Sequence, residues 1–170
     1  MQRRAAIAWV LLVLVCCIGA DQLTKTWAHD HLRGRATLAY LDGTVRLEYA
    51  ENPGAFLSLG ATLPARWRTA AFTIGAAGIV GAMFAYALRD LAGGARRIVA
   101  LSLICAGGVS NLVDRIHHHG YVVDFLSVGI GTLRTGIFNL ADVALMTGIA
   151  WLVLFQGAAS ATGRSRQRSR

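Results

Sequence analysis

Phe138-Asn139-Leu140-Ala141-Asp142-Val143 opens an apolar stretch that runs from Val143 to Gly163 without a charge. A helix crossing a bilayer needs about 20 apolar residues at a rise of about 1.5 Å each, so this stretch predicts a membrane span with Asp142 just inside its start. At the centre of a span an aspartate costs about 2.5 to 3.5 kcal/mol, and one that persists near membrane depth usually carries function. A second carboxylate precedes it, Asp124 in Tyr121-Val122-Val123-Asp124-Phe125-Leu126, which the pattern assigns to the loop before the span.

Outward from this stretch, the other uncharged runs are Ala5 to Ala20, Thr69 to Leu88 and Ile98 to Val113, with the last span read as beginning at Thr135. Together they predict an α-helical integral membrane protein with four transmembrane helices. The first and third runs are short, so their helices are expected to continue into polar ends. That places Asp21, Asn111, Asp114 and Arg115 near the interface. Residues 1 to 20 also permit a signal-peptide reading, with Arg3 and Arg4 before the apolar core, although cleavage after Ala20 leaves bulky Ile18 where a small residue is wanted.

Composition agrees with the membrane class. Of 170 residues 55% are hydrophobic and 15% charged, and the mean hydropathy is +0.49. A net charge of +8 in a soluble chain suggests nucleic acid. Here many basic residues sit at the ends of apolar runs, which reads as a topology signal, and no nucleic-acid partner is expected. With a cytoplasmic N-terminus, the inner segments hold Arg3, Arg4, Arg89, Arg96, Arg97, Arg164, Arg166, Arg168 and Arg170, the denser share of the positive charge. Both termini are then cytoplasmic, and Asp90 is the one acidic residue on that side. Residues 1–163 form one membrane domain, and 164–170 a basic tail expected to be disordered. Cys16, Cys17 and Cys105 fall inside apolar runs and read as small hydrophobes.

Between the first two spans, Thr37-Leu38-Ala39-Tyr40-Leu41 and Thr44-Val45-Arg46-Leu47-Glu48-Tyr49 flank Asp42-Gly43. Asp-Gly between alternating residues predicts a hairpin with a two-residue turn, hence a small extracytoplasmic β-sheet on the membrane surface. Glu51-Asn52-Pro53-Gly54-Ala55-Phe56 follows, where a break in regular structure either presents the Asn52 amide to a ligand or forms a simple turn.

The remaining polar residues are spaced to meet. Asn111, Asp114 and Arg115 share one helical face, Asn139 and Asp142 are three apart, and Asp21 and Lys25 four apart. With alternating crossings, the ends of spans one and three and the start of span four reach the same leaflet. Each group also has a plain structural reading: a helix-end ion pair of about 0.3 to 0.5 kcal/mol, or an interhelical hydrogen bond of about 0.6 kcal/mol. Taken together they exceed what the packing of four helices needs. His117-His118-His119 cannot all face one ion from a helix, and neither a zinc-binding His-Glu-x-x-His nor a serine-nucleophile motif is present. The chemistry left is that of a carboxylate pair, with no metal and no cofactor.

Five blocks occur in order: Asp21-Gln22-Leu23-Thr24-Lys25, Glu51-Asn52-Pro53-Gly54-Ala55-Phe56, Asn111-Leu112-Val113-Asp114-Arg115, Gly120-Tyr121-Val122-Val123-Asp124-Phe125 and Phe138-Asn139-Leu140-Ala141-Asp142. In these the chain resembles the bacterial lipoprotein signal peptidase family, signal peptidase II, aspartic peptidases of the inner membrane. Ser110 stands where the family usually has Gly, and Ala55-Phe56-Leu57 replaces the commoner Ala-Ala-Phe. The resemblance implies that Asp124 and Asp142 are the catalytic pair, and that Asp21, Asn52, Asn111, Arg115 and Asn139 are the polar shell around substrate and pair. It further implies cleavage before the lipidated cysteine of a diacylglyceryl-modified prolipoprotein, at the outer face of the inner membrane. The expected partners are that substrate and membrane lipid, and the expected state is a monomer. The rival reading is a small proton-coupled carrier or assembly subunit using the same aspartates as a relay.

Overall fold

The computed structural model describes residues 3–54, 64–89 and 94–167. Ala55 and Phe56 of the second block, Leu57 after it, Asp90, and the tail residues Arg168 and Arg170 lie outside the described residues. The chain forms four helices, α1 (Arg3–Leu32), α2 (Ala65–Arg89), α3 (Ala95–His117) and α4 (Leu140–Gln167). Four strands accompany them: β1 (Leu38–Tyr40), β2 (Val45–Asn52), β3 (Val122–Ile130) and β4 (Leu133–Arg134). By length and composition α1, α2 and α3 are each able to cross a membrane, while the apolar part of α4 among the described residues is shorter, Leu140–Leu154.

Hydrophobicity is distributed for an apolar solvent. Leu11, Val15, Leu23, Ile74, Ile79, Val153 and Leu154 face outward, whereas Asp21, Lys25, Ser110, Asp114 and Asn139 are buried. Helix α3 is central and packs against α1, α2 and α4. Its contact with α4 depends on bare backbone. A Cβ at Gly148 would lie 2.6 Å from the Ala100 carbonyl oxygen, and one at Gly107 would strike the Ala141 carbonyl and come within 2.9 Å of Leu145 Cβ. Small residues at such crossings let helices approach closely.

Helix α1 continues twelve residues beyond the uncharged run that ends at Ala20. Its polar residues stay helical because they are partnered: Thr24 and Thr26 bond back to carbonyls of the preceding turn, and Asp21 and Lys25 pair with each other. Helix α4 begins later than the sequence pattern suggests, at Leu140 instead of Thr135. Phe138 is held as a bridge to Leu126 of β3, which keeps this segment extended. At its far end α4 runs on to Gln167, into the expected disordered tail. Residues 164–167 contain no helix breaker.

The expected hairpin forms with Tyr40 opposite Val45, a register centred on Asp42-Gly43. Both turn residues have positive φ, 52° and 79°, and Thr44 N–H closes the turn on Leu41 O at 3.0 Å, as the twist-matched two-residue turn requires. The hairpin is half of an antiparallel sheet in the order β1-β2-β3-β4. Strand β3 corrects the placement of Asp124, which lies in a strand and not in a loop. The β-branched Val122, Val123, Val128 and Ile130 favour the extended form. The sheet sits against the C-terminal end of α1, where Ala28 and Leu32 pack on Phe125, with Leu47, Tyr49, Leu126 and Leu140 around them.

The glycine contacts give a stability test. Gly148→Ala must push α4 off α3, because the obstructing Ala100 oxygen is backbone, and overpacking of this kind costs about 1 to 3 kcal/mol. Gly78→Ala on α2 meets nothing within 4 Å and should be neutral or stabilising by about 0.5 to 1 kcal/mol. Thermal unfolding of both variants in detergent checks the contrast; equal melting temperatures would show that the close crossing is not required.

Candidate active site

The polar residues singled out from the sequence meet at one end of the bundle, where α1 and α3 finish, α4 starts and β2 and β3 cover them. Asn139 organises the junction. It stands immediately before α4, and its Oδ1 accepts the Asp142 N–H at 2.9 Å. Asp142 Oδ2 in turn accepts the Asn139 N–H at 3.2 Å. This reciprocal pair is a capping box with aspartate in the third helical position. It fixes the Asp142 side chain where the helix terminus favours negative charge.

The same Asn139 side chain reaches the second carboxylate. Its Nδ2 donates to Asp124 Oδ1 at 2.7 Å and lies 3.1 Å from Asn111 Oδ1. Asn111 Nδ2 donates to Asp142 Oδ1 at 2.8 Å. Asn111 and Asn139 therefore tie Asp124 to Asp142, one from α3 and one from the mouth of α4. On the sheet side, Asn52 Nδ2 donates to Asp124 Oδ2 at 3.0 Å. Asn52 Oδ1 is taken by the Gly54 N–H at 2.9 Å, so the amide serves both the turn and Asp124.

Register explains how Asn52 reaches the face of the sheet that carries Asp124. Leu47 pairs with Leu126 and Ala50 with Asp124, so Glu48 and Tyr49 together oppose Phe125 in a β-bulge. A bulge bends its strand and re-aims the neighbouring side chains. Asn52, opposite Val122, is then the diagonal neighbour of Asp124 on the same face. Phe125 and Leu126 give their N–H groups to Phe138 O, which fastens β3 to the segment leading into α4.

Behind the pair lies a buried charge cluster. Lys25 Nζ is 2.6 Å from Asp21 Oδ2, 3.0 Å from Asp114 Oδ2 and 3.0 Å from Asn111 Oδ1. Asp21 is fully buried and accepts from Ser110 Oγ at 2.7 Å and from the Ala141 N–H at 2.8 Å. It thus caps α4 from a neighbouring helix. Asp114 accepts from Gln22 at 2.8 Å and from the Val123 N–H at 3.0 Å, next to Asp124. The sequence reading did not single out Gln22 or Ser110 as partners. Their signal is the helical spacing of Gln22 with Lys25 and of Ser110 with Asp114.

Arg115 donates to the Gly120 carbonyl at 2.9 Å and lies near enough to Asp124, Asp114 and Asp142 to feel their charge. A side chain at Gly54 would come within 3.1 Å of its guanidinium, and the Gly54 φ of +85° already excludes most other residues. His117 ends α3, and His119, with φ 54°, turns the chain toward β3.

Burial is the main reason the Asp124 carboxyl is raised from the ordinary 3.8 to about 6; the charge of Asp142 adds to it, while the Asn52 and Asn139 hydrogen bonds and Lys25 pull the other way. A carboxyl with a raised pKa in the folded state binds its proton more tightly there, so stability present below about pH 4 is lost as the pH rises to about 6. The full effect is on the order of 3 kcal/mol. Asp124→Asn cannot ionise. Its stability relative to wild type should therefore increase between pH 4 and 7, whatever fixed offset the changed hydrogen bonding adds. Chemical unfolding across that range measures the trend; a flat difference would show that Asp124 is not strained by its charge.

Comparison with known proteins matches residues 13–156 to the model of the family described as Signal peptidase (SPase) II. The lipoprotein signal peptidase of Syntrophus aciditrophicus is 34% identical over 134 residues, covering 79% of this chain and 83% of its own. That of Xanthomonas campestris pv. campestris is 32% identical over 151 residues, covering 89% of each chain. Two solved bacterial membrane enzyme structures superpose. One has a TM-score of 0.78 at 24% identity over 92% of both chains, a likeness of fold alone. The other has a TM-score of 0.73 at 25% identity over 88% of this chain and 93% of its own. With its carboxylates gathered at one end of an apolar helical bundle and a family match that covers most of its length, the chain belongs to the signal peptidase II family of aspartic peptidases.

Proposed function

We propose that Asp124 and Asp142 are the catalytic pair with which this peptidase cleaves the signal peptide from a diacylglyceryl-modified prolipoprotein, just before the lipidated cysteine. Removal of prolipoprotein signal peptides is the activity of the family, and the carrier reading is not favoured. The observation that carries the assignment is the Asn139 side chain, which bonds one carboxylate while its backbone and Oδ1 fix the other. Asn52, Asn111 and Arg115 complete the shell around pair and substrate, and Asp21 supports it from behind.

Two neighbouring carboxyl groups share one proton and titrate as a pair. Asp124, nearly excluded from water, is the member that holds the proton. Asp142, less buried than Asp124 and held at the start of α4, is the partner that acts as base. In the attack step Asp142 takes a proton from water as the water oxygen bonds to the scissile carbonyl carbon, and Asp124 gives its proton to the carbonyl oxygen. When the C–N bond breaks, Asp142 returns its proton to the leaving cysteine nitrogen, and Asp124 recovers its own as the carboxyl product forms.

The site end faces outward from the bacterial inner membrane, all four helices span it, and both termini are cytoplasmic. In support, Arg89 at the end of α2 and Arg96 and Arg97 at the start of α3 lie at the bundle end opposite the site, as the positive-inside rule requires. The acyl chains of the substrate then remain in lipid while its cleavage site reaches the pair. Among the described residues one copy of the chain supplies every named member of the shell, which supports a monomer as the working form.

Purified protein in detergent, incubated with a diacylglyceryl-modified precursor and followed by gel mobility, tests the assignment. Asp124→Asn and Asp142→Asn should each lower cleavage by about 10²- to 10⁴-fold while remaining folded. Cleavage at the wild-type rate by either folded variant would remove that residue from the pair.

A further inference from the structure

Lys25 belongs to no step of this chemistry, yet it is 3% exposed at the centre of the site end. An ammonium group has three N–H donors and no acceptor. Here the three find Asp21 Oδ2, Asp114 Oδ2 and Asn111 Oδ1 at 2.6, 3.0 and 3.0 Å. The last contact bears on the reacting pair. An asparagine amide has one accepting and one donating face, and Lys25 can meet only the accepting one. Asn111 must then turn its Nδ2 toward Asp142, where it lies 2.8 Å from Oδ1.

We propose that Lys25 is a positioning residue for the reacting pair: its ammonium locks the Asn111 amide so that Asn111 always donates to Asp142. This rests on the assignment of Asp124 and Asp142 as that pair. The lock is itself held rigid. Ser110 and the Ala141 N–H fix Asp21, and Gln22 and the Val123 N–H fix Asp114, so the ammonium has one seat. Ala141 adjoins Asp142 and Val123 adjoins Asp124, so the two carboxylates that hold Lys25 also hold the backbone beside each member of the pair.

Without Lys25, Asn111 Oδ1 keeps only the Asn139 Nδ2 donor at 3.1 Å, which Asn139 shares with Asp124, so the amide turns more readily and presents Oδ1 to Asp142. An oxygen there repels a carboxylate and accepts a hydrogen bond from a carboxylic acid. The lost positive charge acts in the same direction, favouring the protonated form of the pair. Among the described residues, the charged groups around the pair are Asp21 and Lys25 from α1, Asp114 and Arg115 from α3, and the two aspartates themselves. His29 and His118 line a cavity of about 230 Å³ beside Lys25, with Gln22, Thr26, Asp114 and Val123. They are present in every variant compared.

The experiment is the pH dependence of kcat/KM and kcat for cleavage of the lipidated precursor by full-length wild type, Lys25→Met, Lys25→Arg and Asp142→Asn. Lys25→Met should lose about 10- to 100-fold in kcat, the usual cost of removing a supporting partner, with KM within about twofold of wild type, and both limbs should move to higher pH by about one unit. Lys25→Arg keeps the charge and offers only donors, so its limbs should overlay those of wild type with a smaller loss of kcat. A folded Lys25→Met with a lower rate and an unmoved profile would make Lys25 merely structural and overturn the proposal. Should Lys25→Met not fold, Lys25→Arg decides, and displaced limbs in that variant overturn it. Wild-type cleavage by Asp142→Asn would sink the assignment of the pair, a result distinct from an unmoved Lys25 profile in an enzyme that Asp142→Asn inactivates.

Discussion

A carboxylate removed from water must have hydrogen-bond donors on its oxygens, because an ionised group left bare in an apolar interior costs far more than a lost packing contact. Four aspartates meet this demand at one end of the bundle, each from a different quarter. Asp21 uses Lys25, Ser110 and the first turn of α4. Asp114 uses Lys25, Gln22 and the backbone of β3. Asp124 uses two asparagine amides. Asp142 uses Asn111 and the N–H of Asn139. Satisfying these oxygens joins α1, α3, α4 and the sheet into one unit.

That organisation separates support from reaction. Asp21 and Asp114 share a lysine and are saturated, so they serve as fixed struts. Asp124 and Asp142 have neutral amides as their hydrogen-bond partners, the environment that the proposed proton exchange requires. A cation seated directly on either one would hold it ionised and impair the exchange that a carboxylate pair performs. Lys25 instead acts one residue away, through Asn111. Elsewhere the helices present Leu, Ile and Val outward and keep small residues at the α3–α4 crossing, as expected where lipid replaces water.

Much of this was legible in the chain. Uncharged runs located the four helices, Asp42-Gly43 placed the hairpin turn at its observed register, and helical spacing grouped Asn111 with Asp114 and Asn139 with Asp142. The departures have two causes. Hydropathy treats a charge as the end of an apolar element, so Asp124 hides a strand within Val122-Val123-Asp124-Phe125-Leu126, whereas the expected continuation of α1 past Ala20 holds, carried to Leu32 by buried partners. The start of α4 was misplaced because residues 135–138 are as apolar as a helix but are held extended by Phe138 against Leu126.

The sequence by itself determined the class of solvent, the number and order of the helices, and which residues had the chemistry to act, since these follow from local composition and spacing. Only the tertiary structure decided that a bulge at Glu48 and Tyr49 brings Asn52 onto the face of Asp124, that Asn139 caps a helix and bridges two carboxylates at once, and that Lys25 faces the accepting side of Asn111. Those outcomes depend on register and on the direction of single donors and acceptors. Such properties arise when distant segments exclude solvent from one another, and no window of the sequence contains them.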